Sequence, residues 1–353
     1  MASQNIKILG IDTSCDDTAI ALLEVKNSNF KIISNTVSSQ VKIHAKYGGV
    51  YPFLAKREHQ KNLPVVFEKV LRILGGPTSR KILREVGPLK IDFVTVTVGP
   101  GLEPCLWQGI NFAKEIAKKY KKSLISVNHI EAHILANFIS EHYGGPASIV
   151  FPAVALVVSG GHTQLVLMKA IGKYKLIGET RDDAAGECLD KVARILGLGY
   201  PGGPAIAATA AKMVGRRVSD QLPRPMIRQK NYDFSFSGLK TAVLYKVKKG
   251  NYDKIEMCYE VQQAIIDVLM HKTIKAARDF GVKSIILGGG VAANEELRKQ
   301  FDYKLKTLNY KLNFLVPPKN LCTDNAAMVA ATAYFHRKDV RKNIKAEANL
   351  RIS

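Results

Sequence analysis

A strand–turn–strand pattern occurs twice in this chain, and this repetition constrains the fold more than any other feature of the sequence. Residues 7–25 contain an apolar run, the polar turn DTSCDD and a second apolar run. Residues 153–170 follow the same plan around the shorter turn SGGH. Aliphatic runs on both sides of a Gly-, Ser- or Asp-rich turn are typical of β-hairpins. The recurrence therefore indicates a duplicated α/β unit rather than one continuous sheet.

The rest of the chain alternates between strand and helix patterns. Strands are predicted over 91–98, 123–128 and 284–287, and helical apolar spacing predicts helices over 57–74, 184–198, 256–280 and 294–308. This alternation, over 353 residues, favours two α/β lobes. Gly and Pro concentrate at 143–152. We therefore predict an amino-terminal lobe over 1–145 and a carboxy-terminal lobe over 146–353, whose last helix (about 325–345) is a candidate to pack back on the first lobe.

The composition excludes several classes of protein. A hydrophobic content of 46% with 23% charged residues is that of a globular chain. No run approaches the ~18 apolar residues of a membrane-spanning helix, and the first apolar run meets Asp12 too soon for a signal peptide. The five scattered cysteines lack any CxxC spacing, which argues against a disulfide framework. We expect a cytoplasmic protein without a membrane partner.

The chain is strongly basic. Its 52 Lys and Arg residues outnumber 30 Asp and Glu residues, so the formal net charge is +22. Such an excess favours a polyanionic partner such as RNA, and a solvated basic surface is the alternative. The basic residues cluster at 114–122, 212–228, 246–254 and 337–351, without an RNP or zinc-knuckle motif.

Three glycine-rich loops lie in the second half, at 159–161, 201–204 and 288–290. A backbone without Cβ atoms can approach a phosphate closely, especially where a helix begins next. The last loop lies between a buried-strand pattern and a helix that starts near Asn294. Each loop alone is typical of a tight turn, but the three together favour a nucleotide-binding cleft. Neither a P-loop nor a GxGxxG fingerprint is present.

His129 and His133 are spaced to lie on one face of a helix. They follow the predicted strand 123–128, at whose carboxyl end α/β sites collect. The best candidate for a third ligand is Asp324, in a polar segment before the last apolar helix. Two histidines and one carboxylate suit Fe(II) or Zn(II), and a structural histidine pair is the alternative.

Several acidic residues allow two interpretations. Asp12, Asp16 and Asp17 in the first turn could position a nucleophile or a second metal, or could hydrogen-bond their own turn. Asp190 could contact a ribose beside the loop at 201–204, or form a helical ion pair with Lys191. The residues alone do not decide between these interpretations.

Together these segments resemble the TsaD family, the tRNA threonylcarbamoyladenosine biosynthesis proteins once called O-sialoglycoprotein endopeptidases. The motifs that carry the resemblance run in family order from about residue 8 to residue 332. They are GIDTSCDDTAIAL, SSQVKIHAKYGGV, TVGPGL, NHIEAHILA, LVVSGGHTQLV, DDAAGECLDKVARILGLGYPGGP, DFSFSGLKTA, GGGVAAN and CTDNAAM. The SCDDT opening resembles the bacterial and organellar branch.

The resemblance implies a fold and a set of site residues. The fold is the actin-like ATPase fold of actin, Hsp70 and sugar kinases, with two duplicated α/β lobes and a central ligand cleft. The family's metal ligands fall on His129, His133 and Asp324. Its substrate-binding positions fall on Val157, Val158, Ser159, Gly160, Gly161, Asp190, Gly203 and Asn294.

The resemblance also implies an activity. The family transfers the threonylcarbamoyl group from threonylcarbamoyl-AMP to the N6 amine of adenosine 37 in tRNAs that read ANN codons, and AMP is released. We expect Asp16 or Asp17 to take the amine proton. The implied cofactor is one Fe(2+) or Zn(2+) ion, with ATP or ADP as a further occupant of the cleft. The implied partners are tRNA, a TsaB-like paralogue, a TsaE-like ATPase and a TsaC-like synthase that makes the substrate.

Three other functions remain as alternatives. A metalloprotease would require the HExxH order, but Ile130 stands where the glutamate belongs and Glu131 follows one place late. A non-catalytic scaffold of the same complex is a second alternative, although such relatives typically lack the histidine pair. A small-molecule kinase of the same fold is the third, and the histidine pair and the basic charge argue against it.

Overall fold

The computed structural model describes residues 5–73, 90–139, 149–215, 218–219, 221–250, 252–308, 311–339 and 343–353. The chain divides into two compact units. The first comprises residues 1–44, 50–148 and 324–352, and the second comprises 45–49, 149–323 and 353. The segment that follows Thr323 therefore belongs with the amino-terminal part of the chain.

The first unit contains a five-stranded sheet within its described residues. Its strands are β1 (Asn5–Asp12), β2 (Asp17–Lys26), β3 (Asn29–Ser39), β4 (Phe93–Gly99) and β5 (Ser123–Asn128), in the order β3-β2-β1-β4-β5. The pairs β1/β2 and β2/β3 are antiparallel, whereas β1/β4 and β4/β5 are parallel. The first predicted hairpin is thus confirmed, and a third antiparallel strand extends it.

The second unit repeats this topology. Its strands are β6 (Ala153–Val158), β7 (Thr163–Ala170), β8 (Lys173–Glu179), β9 (Ser284–Gly288) and β10 (Asn313–Leu315), in the order β8-β7-β6-β9-β10. Its antiparallel and parallel pairs fall at the corresponding places. Identical strand order and identical strand direction confirm the predicted duplication of an α/β unit.

Helices cover the sheets. In chain order they are α1 (Val41–His44), α2 (Pro52–Ile73), α3 (Glu103–Tyr120), α4 (His129–Leu135), α5 (Ala185–Ile195), α6 (Gly202–Ala210), α7 (Ser237–Lys249), α8 (Lys254–Asp279), α9 (Glu295–Lys306) and α10 (Ala326–Phe335). The last helix is shorter than the predicted range of about 325–345. Among the described residues no helix combines the length and the apolar character needed to cross a bilayer.

The core of the first unit explains why β1 is apolar on both faces. Leu9 and Ile11 pack with Phe67 of α2 and Ile110 of α3 in one buried cluster. The helix α10 packs against β1 and β2 as well. A strand with helices packed on both faces needs a continuous apolar run rather than an alternating one.

The core of the second unit is built on the same principle. Val154 and Leu156 of β6 pack with Val261 and Ile265 of the long helix α8. All six residues of β6 are buried. The polar and glycine residues that can bind a ligand therefore lie in the turns and at the helix ends that follow the strands.

Candidate metal centre and nucleotide cavity

The short helix α4 begins where β5 ends, and this junction presents two histidines. The side chain of Asn128 accepts hydrogen bonds from the backbone N–H groups of Ile130 and Glu131, at 2.9 and 3.2 Å. This N-cap starts the helix at His129, so that His133 lies one turn later on the same face. The two imidazole ring centroids are 4.6 Å apart.

Asp324 reaches the same place from the far end of the sequence. It immediately precedes α10, whose first turn is capped by Asn325 through a 3.0 Å hydrogen bond from the Met328 N–H. A Cβ atom at Gly10 would collide with the carbonyl oxygen of Ala326, so glycine permits the close approach of β1 and α10. Asp324 is thereby placed beside the end of β1 and the histidines of α4.

The three side chains form a nearly equilateral triangle of ligand atoms. The Nε2 atoms of His129 and His133 are 3.2 Å apart, and Asp324 Oδ1 lies 3.4 and 3.3 Å from them. Tetrahedral ligands about 2.0–2.1 Å from one ion lie about 3.4 Å apart. A search of the described residues for three or more histidine, cysteine or acidic side chains close enough to hold one ion finds this group. The geometry is compatible with a metal site.

The electrostatics of the cluster favour a cation. Burial alone raises the pKa of Asp324, but the adjacent His129 and His133 together outweigh burial and hold that pKa well below its usual value. Burial lowers the pKa of His129, but Asp324 reverses the effect and raises it to about 9. Burial and the neighbouring His129 lower the pKa of His133. One partly buried carboxylate therefore faces two buried imidazoles, of which His133 prefers to be neutral.

The turn after β1 lies directly behind two of these ligands. Asp12 is fully buried, and its Oδ2 atom lies 3.9 Å from Nδ1 of His129. Neither of these two atoms has a hydrogen-bond partner among the described residues. The hydroxyl of Ser14 donates to Oδ2 of Asp324 at 3.5 Å. Asp12 thus faces the ring nitrogen of His129 that points away from the ligand triangle, and Ser14 contacts the second carboxylate oxygen of Asp324. Ligand spacing in the sequence does not single out either residue.

Asp16 and Asp17 also lie in this turn. Burial raises the pKa of both, that of Asp17 to about 7, and the charge of Asp324 adds to the shift in each case. The turn is fixed by two neighbours: Gln40 N–H donates to the Asp16 carbonyl at 3.2 Å, and the His59 ring contacts the Cys15 carbonyl at 3.0 Å. The structure thus brings both acids near the cluster, while their role stays a prediction.

The second unit contains a cavity of about 880 Å³. Four of the residues predicted to bind substrate line it: Gly160, Asp190, Gly203 and Asn294. Its volume lies in the range of small-molecule sites. Much of its wall comes from residues that sequence analysis did not single out, mainly alanines of α6 and the apolar or amide side chains Met213, Tyr259 and Gln262.

The SGGH turn offers two backbone donors, at Gly160, which lines this cavity, and at the adjacent Gly161. Ser159 is occupied, because its N–H donates to the His162 carbonyl at 2.8 Å and its hydroxyl accepts from the His162 N–H at 3.1 Å. For the N–H groups of Gly160 and Gly161 we find no acceptor among the described residues. A Cβ atom at either glycine would meet nothing within 4 Å. Two such amides beside open space can bind an anion.

The other predicted substrate residues differ in how they reach the cavity. Asp190 accepts the Gly202 N–H at 2.7 Å, and Asn294 caps α9 by accepting the Leu297 N–H at 3.0 Å. The side chains of Val157 and Val158 are buried in β6 and do not line the cavity. A ligand contact from these valines would therefore use the backbone.

The fold and these two sites define a class of protein. Two structures of HypF resemble the chain over nearly its whole length. For HypF from T. kodakarensis the TM-score is 0.57 at 14% identity, and the match covers 95% of this chain and 49% of that one. For full-length HypF in its phosphate- and nucleotide-bound form the TM-score is 0.59 at 12% identity, with coverages of 98% and 48%. The chain thus spans about half the length of HypF. The likeness confirms the predicted α/β, actin-like ATPase fold.

Closer relatives identify the family within that class. The family model described as "TsaD: tRNA N6-adenosine threonylcarbamoyltransferase" matches residues 31–331. Proteins named tRNA N6-adenosine threonylcarbamoyltransferase are 45% identical in Thermosipho africanus, over 98% of this chain and 99% of that protein, and 48% identical in Persephonella marina, over 95% and 91%. This chain belongs to the TsaD family.

Proposed function

We propose that this chain transfers the threonylcarbamoyl group of threonylcarbamoyl-AMP to the N6 amine of adenosine 37 in tRNAs that read ANN codons. The observation that carries the proposal is the joint presence of a family match over residues 31–331, a near-full-length relative and a His-His-Asp triangle whose histidines are buried. In the reaction the amine nitrogen bonds to the carbamoyl carbon, the bond from that carbon to the phosphate oxygen breaks, and AMP leaves.

The second unit binds the nucleotide part of the substrate. The free N–H groups of Gly160 and Gly161 donate to the phosphate, on which negative charge grows as AMP leaves. Asp190 is held by Gly202 and accepts a ribose hydroxyl. The alanine-rich wall from α6 and the ring of Tyr259 suit an adenine base.

The first unit supplies the metal ligands. His129 and His133 would each offer an Nε2 lone pair, which for His129 requires a deprotonated imidazole, and Asp324 would offer one carboxylate oxygen. When bound there, Fe(2+) or Zn(2+) would act as a Lewis acid that polarises a substrate oxygen. Oδ2 of Asp12 faces Nδ1 of His129 at 3.9 Å and would favour the tautomer with its proton on Nδ1, which leaves Nε2 as a lone pair for the metal. Ser14 orients Asp324 in the same way.

Asp16 and Asp17 are the candidate bases for the amine proton. Burial raises the pKa of both carboxyl groups, so each accepts a proton more readily than an exposed carboxylate does. Glu131, the residue that a metalloprotease would need as its base, is instead paired with Nε2 of His336 at 2.8 Å. This pairing supports the transferase over the protease alternative.

The cavity also accommodates ATP or ADP as a further occupant. The expected partners are a TsaB-like paralogue, a TsaE-like ATPase and an upstream TsaC-like synthase, and the cytoplasm is the expected location. These assignments rest on membership of the family.

The test is a transfer assay with threonylcarbamoyl-AMP labelled in the threonyl carboxylate, unmodified tRNA and the expected partner proteins. We expect label at adenosine 37 and one AMP released per group transferred. Asp16→Asn or Asp17→Asn should lower the rate by about 10²–10⁴-fold with the metal content unchanged. Asp302→Asn, which alters an exposed carboxylate paired with Lys306, is the matched control. Label that never enters the tRNA would contradict the proposal.

A further inference from the structure

An irregular segment of the second unit is held in place by buried charges that the proposed reaction does not use. Residues 222–231, here named the basic loop, contain turns but neither helix nor strand. Met226 within it has φ of +56°, a left-handed conformation that a long side chain rarely adopts. Such a conformation persists only where the surroundings fix it, and it is found most often at functional sites.

One anchor of the basic loop is a fully buried lysine. Lys272 of α8 has no exposed surface, and burial lowers its pKa. Its ammonium group donates to the carbonyl of Asn231 at 2.8 Å, to the side-chain oxygen of Asn231 at 3.3 Å and to the carbonyl of Gln229 at 3.4 Å. The three donors of the ammonium thus meet three acceptors, all in the last residues of the loop.

A second anchor holds the beginning of the basic loop. The guanidinium of Arg224 donates to Glu260 at 2.8 Å, to Asp267 at 2.9 Å and to the carbonyl of Leu222 at 2.7 Å. Glu260 also accepts the Leu222 N–H at 3.1 Å. Charge-assisted bonds of this kind are the strongest hydrogen bonds in proteins. The loop is therefore tied to α8 at both ends.

Between the two anchors the basic loop presents two free cations. Arg228 and Lys230 are exposed, and neither has an ion pair within the described part of the chain. The acid that follows the loop in sequence, Asp233, is already paired with Arg181 at 2.8 Å, and Asp279 at the end of α8 is paired with Lys275. A rigid backbone thus displays uncompensated positive charge, as a site for a polyanion requires.

We propose that the basic loop contacts the RNA backbone, with Arg228 and Lys230 on phosphates and with Lys272 and Arg224 as positioning residues. This inference rests on the proposed function, because tRNA is the polyanion that the reaction supplies. Preorganisation reduces the entropy lost on binding, which explains why buried charges are used to hold a surface segment. The net charge of +22 supplies long-range attraction, and the loop supplies a defined contact.

The experiment measures the tRNA dissociation constant of the full-length chain at several salt concentrations. Each phosphate contact contributes about 0.7–0.9 to the slope of log affinity against log salt. The variant Arg228→Ala/Lys230→Ala should bind about tenfold more weakly near physiological salt, and its slope should be less steep by about 1.4–1.8. The control Lys118→Ala/Lys121→Ala removes two exposed lysines from the end of α3 and should leave the slope within about 0.5 of wild type.

A third variant tests the role of the anchor. Lys272→Met removes the three donors but no phosphate contact, so we expect weaker binding with an unchanged slope. The paired surface variant does not depend on this buried substitution, because Arg228 and Lys230 make no contact that the fold needs. Binding of AMP to the cavity should be the same in all variants.

The outcomes distinguish the inference from the function on which it rests. Equal affinity and equal slope for wild type and Arg228→Ala/Lys230→Ala would overturn the inference alone. An equal loss of slope in the α3 control would also overturn it, because the attraction would then be general. A wild-type chain that binds no tRNA at low salt would overturn the proposed function as well. Binding of anionic lipid vesicles in preference to tRNA would assign the loop to a membrane surface and contradict the RNA contact.

Discussion

The two hairpins of this protein share one backbone plan and differ in the chemistry of their turns. Between β1 and β2 the turn is acidic, and its residues lie behind or beside the His-His-Asp cluster. Between β6 and β7 the turn is SGGH, which contributes no charge and leaves two amides without an acceptor among the described residues. The duplicated topology therefore gives the two turns equivalent positions in their units, and the amino-acid sequence of each turn determines what it can bind.

The difference has a physical basis. An anion is bound well by backbone N–H groups, which need glycine so that the ligand can come close. A cation is bound by carboxylates and imidazoles, which must be buried, oriented and supported by neighbours. In the first unit, buried polar residues such as Asp12 and Ser14 accordingly orient the metal ligands. In the second unit, the backbone N–H groups of the turn suffice for an anion.

The largest effect should follow from loss of a metal ligand. His133→Ala leaves two of the three ligands, so we expect the metal content to fall from about one ion per chain to near zero. Transfer should fall by about 10³-fold, since Lewis-acid stabilisation is worth several kcal/mol. Metal analysis of the purified protein and the transfer assay measure the two effects. AMP binding at the second hairpin should change less than twofold.

His271→Ala is the matched control for this substitution, because His271 is an exposed histidine of the second unit. It should leave both metal content and transfer unchanged. A full complement of metal in His133→Ala would show that the triangle of ligand atoms is structural, and the contrast between the two turns would lose its basis.

The next effect concerns the support of the ligands. Asp12→Asn keeps the shape of the side chain but replaces the carboxylate that faces Nδ1 of His129, so the histidine loses its preferred tautomer. We expect metal affinity to fall by about 10–100-fold, measured by competition with a chelator. Asp17→Asn removes a partly buried carboxylate from the same hairpin and serves as the charge control. Equal losses in both variants would mean that only the local negative charge matters.

A smaller effect is expected at the second turn. Gly161→Ala adds a Cβ atom that meets no protein atom within 4 Å, so the melting temperature should not change. The same atom intrudes on the space in front of the free amides, and AMP affinity should therefore fall by about tenfold. Calorimetry with AMP and metal analysis measure the two properties. Undiminished AMP affinity would show that the ligand does not approach this turn.

Sequence patterns were sufficient for some of these features and insufficient for others. The two hairpins, the strands β4, β5 and β9 and the His-His-Asp set follow from local periodicity and from the rule that sites collect at strand ends. The strands β3, β8 and β10 were not predicted, because edge strands are partly exposed and these are either weakly alternating or, for β10, only three residues long. The helix α3 was also missed, although Pro104 in its first turn was a usable signal.

The residues that orient the metal ligands and anchor the basic loop could not be predicted from sequence patterns, for a different reason. Asp12 was visible in an acidic turn, but which acid faces His129 depends on how β1 and α4 pack. The basic loop gives no periodic signal, and its anchor Lys272 lies about forty residues away on a helix. Contacts between residues far apart in sequence are set by tertiary packing, which propensity and spacing do not encode.

The smallest effect concerns acid, and it should separate the two turns. His59 is fully buried; its ring bonds to Thr18 Oγ1 at 2.8 Å and to the Cys15 carbonyl at 3.0 Å, and burial lowers its pKa to about 4. Between pH 6.5 and 4 the unfolded chain binds a proton at this histidine that the folded chain does not. The stability that His59 contributes is therefore present above pH 6.5 and is lost as the pH falls towards 4, by up to about 3 kcal/mol.

The raised pKa values of Asp12 and Asp17 act in the opposite direction, so the measurement must compare wild type with His59→Gln at each pH. The advantage of wild type over the variant should shrink on acidification, as followed by denaturant unfolding. Hydrogen exchange should show that acid loosens residues 13–18 in wild type before it affects 159–163, because only the first turn is held by a buried histidine. A stability difference between wild type and His59→Gln that does not vary between pH 7 and 4 would mean that His59 has the same protonation in the folded and unfolded states. The two turns would then not differ in their sensitivity to acid.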